Sequence, residues 1–202
     1  TEAPTGLNLG TGVRTVATDK QFAQGNMVTT NNPFDLSIQG RGFFEIMLPD
    51  GGQAYTRDGT FQLDADGQLV TSNGYALQPA ITIPQSAQAV TIGVDGVVSA
   101  ILPGQADPVQ VGTVQLVDFV NPAGLQPRGQ NSFSETIASG PPQPGTPGLN
   151  GLGTVAQGTL ETSNVSVVEE LVSMIETQRA YEMSSRAIET SDQMLQQLTS
   201  RL

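Results

Sequence analysis

Cysteine, histidine and tryptophan are all missing from the 202 residues, and lysine occurs once, at Lys20. Without cysteine there is no thiol nucleophile and no disulfide. Without histidine there is no Ser-His-Asp triad, and the usual zinc ligand set goes with the two together. A chain that makes no disulfides leaves its redox compartment unread. No apolar run reaches the ~18 residues a membrane-crossing helix needs. Basic residues are also scarce: 8 Lys and Arg stand against 19 Asp and Glu, a net charge of −11. Nucleic acid and anionic membrane surfaces both require clustered positive charge, so neither is an expected partner, and no membrane insertion is expected. There is no signal peptide at the start. The chain opens TEAPTGLNLG without Met, so the natural N-terminus is expected to lie upstream.

What the chain has in quantity is turn chemistry. Residues 1–33 read as an extended entry segment, with 13–28 weakly alternating up to Gly25-Asn26. From Phe34 short alternating runs are separated by turn signals: DLSIQ, FFEIML, then Pro49-Asp50-Gly51-Gly52, then AYTR, Asp58-Gly59, FQLD, Asp66-Gly67, QLVTS, Asn73-Gly74 and YALQP. An Asn-Gly or Asp-Gly pair between alternating segments is the strongest short-range hairpin signal. ITIP, VTIGV and VVSAIL follow, the last two around Asp95-Gly96, and residues 109–120 read as the longest strand, stopped at Asn121-Pro122. Strands about ten residues apart predict a mainly β, elongated sandwich- or barrel-like domain over 34–139.

Residues 140–153 are GPPQPGTPGLNGLG, nine Gly or Pro in fourteen, and no charge falls between Glu135 and Glu161. This composition predicts a linker over 140–158; an ordered surface loop clamped on the β domain is the alternative.

From Ser163 to Leu202 there is neither Gly nor Pro. Val167, Met174, Tyr181, Ile188, Leu195 and Leu202 recur every seventh residue, Leu160 extends the series backwards, and Thr177, Ser184, Ser191 and Leu198 lie between them. A seven-residue apolar period belongs to a helix whose seam lies against another helix. With Leu171 and Ile175, these residues make a candidate subunit interface on a helical segment assigned to 159–202. Ser166 and Glu169 have the spacing of a capping box, with Glu169 and Glu170 near the positive end of the helix. The helix from Ser166 would run roughly 55 Å. Either it lies across its own β domain or its partners are other subunits or chain not present here.

The chemical candidates are thin. Asp64, Asp66 and Gly67 faintly suggest a calcium loop, but the glycine falls at position four rather than six, and Tyr75 stands where a Glu is required. Nineteen acidic residues make some carboxylate pair inevitable, so a glycosidase on a β scaffold is a remote alternative. A Ser-Lys dyad would have to use Lys20, and there is no phosphate loop. No catalytic group and no cofactor is expected.

Gln157-Gly158-Thr159-Leu160-Glu161-Thr162-Ser163-Asn164-Val165, then Glu169-Glu170-Leu171-Val172, Met174-Ile175 and Gln178-Arg179-Ala180-Tyr181-Glu182, resemble the C-terminal signature of bacterial flagellar rod and hook proteins. Gly6-Leu7, Gly10-Thr11-Gly12-Val13, Gly40-Arg41-Gly42-Phe43-Phe44, Pro49-Asp50-Gly51, Tyr55-Thr56-Arg57-Asp58-Gly59, residues 92–99, Pro147-Gly148-Leu149-Asn150-Gly151 and Asp192-Gln193-Met194-Leu195 are similar to the distal-rod branch of that family. The resemblance implies a structural subunit of a self-assembling drive shaft that passes torque from motor to hook. It implies an outer β domain and an inner coiled coil built from both chain termini, with the N-terminal helix lacking here. The implied partners are copies of the same chain, proximal rod and hook proteins, and the P and L ring proteins around the rod. The implied location is the basal body, from the periplasmic space to the outer membrane, after export by the flagellar type III apparatus. A hook or proximal-rod subunit is the alternative within the family.

Overall fold

The computed structural model describes residues 14, 20–105 and 107–199, with the backbone alone for Leu195, Leu198 and Thr199. The motif residues Gly6–Leu7 and Gly10–Val13, most of 1–19, and Leu202 lie outside the described residues. The chain divides into two compact units, Thr1–Glu161 and Thr162–Leu202. Among the described residues the first is mainly β, with one short 3-10 turn at Pro122–Gly124, and the second holds one long helix, as the residue patterns predict.

The strands follow the turn signals closely. They are β1 (Met27–Thr29), β2 (Leu36–Gln39), β3 (Phe43–Met47), β4 (Gln53–Thr56), β5 (Phe61–Leu63), β6 (Leu69–Thr71) and β7 (Ala76–Gln78). Next come β8 (Ala89–Ile92), β9 (Val97–Ile101), β10 (Val109–Thr113), β11 (Leu116–Asp118), β12 (Gln126–Gly129) and β13 (Ser132–Ser134). Last are β14 (Gln143–Gly145), β15 (Thr154–Gln157), β16 (Thr159–Glu161) and the helix α1 (Val167–Thr199). The β5–β6, β6–β7 and β8–β9 turns place Gly67, Gly74 and Gly96 at φ of 77°, 83° and 80°. Only glycine adopts that conformation cheaply, which is why the Asx-Gly pairs marked these hairpins. Asp64 Oδ1 accepts the backbone N–H groups of Asp66 and Gln68 at 2.9 and 2.8 Å, so its carboxylate serves the turn.

Every ladder is antiparallel. The largest sheet follows the path β12-β13-β4-β3-β7-β6-β5, with β11 joining β3 to β14; it is open and ends at β12 and β5. Alternation along β3 and β11 gives this sheet two buried faces. Phe44 and Leu116 enter a core with Leu36, Ile38 and Val155 of the β2–β15 ladder and Ile92 and Val98 of the three-stranded sheet. Phe43 and Val117, one residue along, enter a second core with Tyr55, Phe119 and Leu125. The arrangement is sandwich-like, with a second, aromatic core behind the main sheet.

Phe22 and Phe133 cover that second core edge-on, with ring centroids 5.3 Å apart. Lys20 Nζ donates to the Leu125 carbonyl at 3.0 Å and sits 5.9 Å from the Phe133 ring centroid. The single lysine is a packing residue rather than half of a dyad.

Three expectations need correction. First, residues 109–120 do not form one strand. β10 belongs to the three-stranded sheet and β11 to the largest one, with a register shift between Gln110 and Gly112. Gly112 lies against Ile81, and Val114 is fully buried, so the chain crosses between sheets through the core and keeps its apolar pattern throughout.

Second, 140–158 is not a linker. Pro144 pairs with Val117 in β14, and β15 pairs with β2 over four residues. Proline is tolerated in β14 because it lies at the sheet edge. A side chain on Gly153 would run into the Gln39 carbonyl, so that glycine marks close approach, not flexibility. Third, the helical unit begins at Thr162, not at residue 159, because 159–161 are strand.

Candidate assembly interface

The segment leading to the helix is fixed by the sheet. β16 pairs with β1, opposing Glu161 to Met27 and Leu160 to Val28. Leu160, expected at the head of the helical seam, is therefore a strand residue. Gly158, at φ 71°, turns the chain from β15 into β16, and the Ser37 and Thr159 hydroxyls meet at 2.6 Å.

Arg57 and Glu161 lock this region. Arg57 Nε and Nη2 approach Glu161 Oε2 at 2.9 and 2.8 Å. Nη1 donates to the carbonyls of Gly40 and Gly42, both at 3.1 Å, and Nη2 to Ile38 at 3.4 Å. Glu161 Oε1 accepts the Gly25 N–H at 2.9 Å. The two side chains are 17% and 11% exposed, so both charges are largely withdrawn from water and each is neutralised by the other. Both residues sit in motifs singled out above, but sequence alone gave no sign that they meet across 104 positions. Asp35 is a second buried carboxylate, satisfied by Thr30 Oγ1 at 2.6 Å and Asn32 Nδ2 at 2.9 Å.

Ser166 caps the helix where its spacing with Glu169 predicts. Its carbonyl accepts the Glu170 N–H at 3.0 Å, and its Oγ accepts the Glu169 N–H at a long 3.5 Å. Glu169 and Glu170 occupy the first turn. Over 33 residues the helix rises about 50 Å. Every residue in it whose burial is described is exposed. That includes the candidate seam: Val167, Leu171, Met174, Ile175, Tyr181 and Ile188, from 48% exposed at Ile175 to 77% at Tyr181. Leu195 and Leu198 lie in the same helix by their backbone.

Two small residues of the candidate seam have their hydroxyl protons engaged within the helix. Thr177 Oγ1 donates to the Ser173 carbonyl at 2.8 Å, and Ser191 Oγ to Ala187 at 2.9 Å. Their hydroxyl protons are satisfied within the helix, so a partner backbone could cover them without orphaning a donor.

Two ionisable groups of the β unit are shifted by burial. Glu45 and Tyr55 stand opposite each other on β3 and β4. Burial raises the Glu45 carboxyl above its usual range. Burial, then the charges of Glu45 and Glu135, push the Tyr55 phenol up to about 12. An open cleft of about 320 Å³ is lined by Thr29, Asn31, Asn32 and Gln157 beside Pro33 and Val90, with no ionisable side chain. The Gln157 amide there is engaged by the carbonyls of Pro33 and Val90 and the Ile92 N–H. Among the described residues no three potential metal-ligating side chains cluster. No described helix is long and apolar enough to cross a membrane.

Two family models match. Residues 37–100 match the flagellar hook protein FlgE/F/G D1 domain, and residues 156–201 match the flagellar basal body rod FlgEFG protein C-terminal region. The chain is 55% identical over 199 residues to the flagellar basal-body rod protein FlgG of Buchnera aphidicola subsp. Schizaphis graminum, covering 98% of the chain and 76% of the relative. In Caulobacter vibrioides it is 47% identical to the FlgG protein, over 96% of the chain and 74% of the relative. To the FlgF protein of the same organism it is 34% identical, over 91% and 71%. The chain therefore belongs to the family of flagellar basal-body rod proteins, which are structural components of the bacterial flagellum. Within that family its similarity is greater to FlgG than to FlgF.

Proposed function

We propose that this chain is a structural subunit of the flagellar distal rod, the drive shaft that transmits torque from motor to hook, and that it acts by helical self-assembly without catalysis. The observation that carries the assembly mechanism is the helix of 33 residues with its apolar stripe exposed along its length. Each such side chain contributes about 1.5–3 kcal/mol when buried, so the six described seam residues together represent on the order of 10 kcal/mol. Packing these helices side by side in the shaft core would realise that energy and carry torque through knob-and-hole contacts. The β units would form the outer wall facing the P and L ring proteins, with proximal rod and hook proteins at the two ends. The acidic surface suits a shaft that turns without adhering to its surroundings. A basal-body location spanning the periplasm, reached by type III export, follows from the same reading.

The test is Ile188→Asp in the full-length protein, read by motility and by electron micrographs of isolated basal bodies. An unpaired carboxylate inside a helix–helix seam is costly, and the cost recurs in every subunit. Rods should be missing or truncated. Glu189→Ala, adjacent but off the seam, should assemble normally. Complete rods and normal swimming with Ile188→Asp would refute the seam.

A further inference from the structure

Two Asn-Gly pairs, Asn73-Gly74 and Asn150-Gly151, lie exposed on the β unit. Asparagine before glycine is chemically labile, because glycine has no side chain to shield its backbone nitrogen from the carboxamide carbon of its neighbour. That nitrogen attacks after losing its proton to solvent base. A hydrogen bond that holds the glycine N–H therefore slows the reaction, as it slows amide exchange.

The two pairs occupy different places in their turns. In the β6–β7 turn the glycine is itself the closing donor, with Gly74 N–H on the Thr71 carbonyl at 2.8 Å. The next residue is tied to Thr71 as well: Tyr75 N–H donates to its Oγ1 at 3.2 Å, and the Tyr75 carbonyl accepts its N–H at 2.8 Å. Three Asp-Gly turns are closed in the same way, Gly51, Gly67 and Gly96 donating to Leu48, Asp64 and Gly93 at 3.0, 3.1 and 3.0 Å. Asn150-Gly151 is built otherwise. Both residues have positive φ, 55° and 81°, and the turn is closed one residue later, by Leu152 N–H on the Leu149 carbonyl at 3.0 Å. They are the two central residues of a type I′ turn, whose closing bond leaves the N–H of the second central residue out. Among the described residues the Gly151 N–H meets no acceptor, and nothing stands within 4 Å of where a Cβ on Gly151 would be.

We propose that Asn150 is a site of spontaneous covalent modification, deamidated through a cyclic imide, and that Asn73 is its protected counterpart. Gly151 N, deprotonated by hydroxide, attacks Asn150 Cγ. The new N–C bond closes a five-membered succinimide, the carboxamide C–N bond breaks, and ammonia leaves with a proton taken from water. Water then adds to one of the two imide carbonyls. Opening on one side gives aspartate; opening on the other gives isoaspartate, with the main chain running through the side-chain carboxyl carbon. One water is consumed and one ammonia released, with no oxidation or reduction. Ring closure rotates the Asn150 peptide out of its turn and breaks the Leu152–Leu149 bond. At Asn73 the nucleophile's own bond must break, together with those tying Tyr75 to Thr71. The product puts a negative charge into 136–160, a stretch with no charged residue, on the loop between β14 and β15. The reaction needs only water, so it does not depend on the rod reading.

The test is peptide mapping by mass spectrometry of the purified full-length protein, held in mildly alkaline buffer and sampled over time. Asn150 should gain the mass of an amide converted to an acid, and yield isoaspartate that an isoaspartate methyltransferase labels. It should do so at least about fivefold faster than Asn73, the factor that one net hydrogen bond makes. In urea, with both turns unfolded, the two rates should converge. Equal rates in the folded protein, or a faster Asn73, would overturn the proposal. A ratio that persists in urea would overturn it too, since neighbouring sequence and not the turn would then decide. Asn150→Gln should remove the early acidic species seen on ion exchange and Asn73→Gln should leave it; its persistence in Asn150→Gln would place the modification elsewhere. Amide hydrogen exchange reads the cause without the chemistry. Gly151 should exchange as an unstructured peptide does and Gly74 at least about fivefold more slowly, and equal protection at the two glycines would remove the basis of the assignment.

Discussion

Phe44 and Ile188 are both large apolar residues, and the two units of this chain treat them in opposite ways. Phe44 is fully buried, its ring 5.2 Å from that of Phe61, in a core built by two sheets and a ladder. Ile188 is 64% exposed on a helix none of whose described residues is buried. The β unit builds two buried cores from its own apolar residues. The helix has a comparable apolar stripe and no such core among the described residues of its own unit. Burial of a stripe is the usual source of helix stability in proteins; in this chain the buried core lies within residues 20–161, and the apolar stripe of the helix is exposed.

The sharpest way to break that contrast is to remove both residues in turn. Phe44→Ala should destabilise the β unit by about 3–5 kcal/mol, through lost burial and the cavity left behind. Ile188→Ala in the unassembled chain should change its unfolding by less than about 0.5 kcal/mol, as exposed positions do. Urea unfolding followed by near-ultraviolet signals, which report the buried aromatics, measures both. A loss above about 1 kcal/mol for Ile188→Ala would mean that the helix contributes to the β core after all.

Next in size is the Arg57–Glu161 pair. Arg57→Ala leaves the Glu161 carboxylate largely buried with the Gly25 N–H still donating to it, and breaking such a pair costs about 3 kcal/mol. Glu161→Gln retains the shape and much of the hydrogen bonding and should cost less. Because Glu161 closes the β unit, the expected signature is a lower melting temperature with helix content unchanged. Equal losses for Arg57→Ala and Glu161→Gln would show that the charge plays no part.

Much of this division was legible before the fold was known. The hairpins were marked by Asp66-Gly67, Asn73-Gly74 and Asp95-Gly96 because a positive φ at glycine is a local requirement. The helix was marked by its period and by the absence of Gly and Pro. The misses were non-local. The glycines and prolines of 140–158 look like a flexible run when read alone, and only the approach of Gly153 to Gln39 and the edge pairing of Pro144 show them in sheet. Leu160 fits a seven-residue series by number, yet pairing with Val28 assigns it to β16. The β12–β13 hairpin gave no Asx-Gly signal: its turn residues are Gln130 and Asn131, at φ of 53° and 56°. Arg57 and Glu161 belong to motifs on either side of the domain and meet only once it folds.

A smaller effect follows from the Tyr55 phenol. Its pKa is near 10 in an unfolded chain and about 12 in the fold. A group whose pKa is raised by folding gives its full contribution below the unfolded value and loses it as pH rises through the folded value. At about 1.4 kcal/mol for each pH unit, stability should fall by up to about 3 kcal/mol between pH 10 and 12. Other groups also titrate there, so the decisive quantity is the difference from Tyr55→Phe, which should show a shallower alkaline loss. Identical alkaline profiles would mean that the second core does not exclude the phenolate. Helix content should not follow this titration.

The smallest effect tests the helix in isolation. Ser166 offers its Oγ to the Glu169 N–H at only 3.5 Å, a weak cap by distance, but it stands at the costly first turn. Replacing a capping Ser by Ala typically costs about 1 kcal/mol of helix stability, and at this length the value should fall toward half of that. In the unassembled chain no tertiary burial masks the loss, because the described helix residues are all exposed. Far-ultraviolet circular dichroism should therefore report reduced helicity for Ser166→Ala, concentrated in the first turns. The β unit should melt at its original temperature, since its last strand ends at Glu161, five residues before the cap. In assembled rods the same substitution should be almost silent, because seam burial of on the order of 10 kcal/mol dwarfs it. An equal effect in both states would show that the seam does not stabilise the helix, and a lower β melting temperature would show that the two units do not fold as separately as their burial implies.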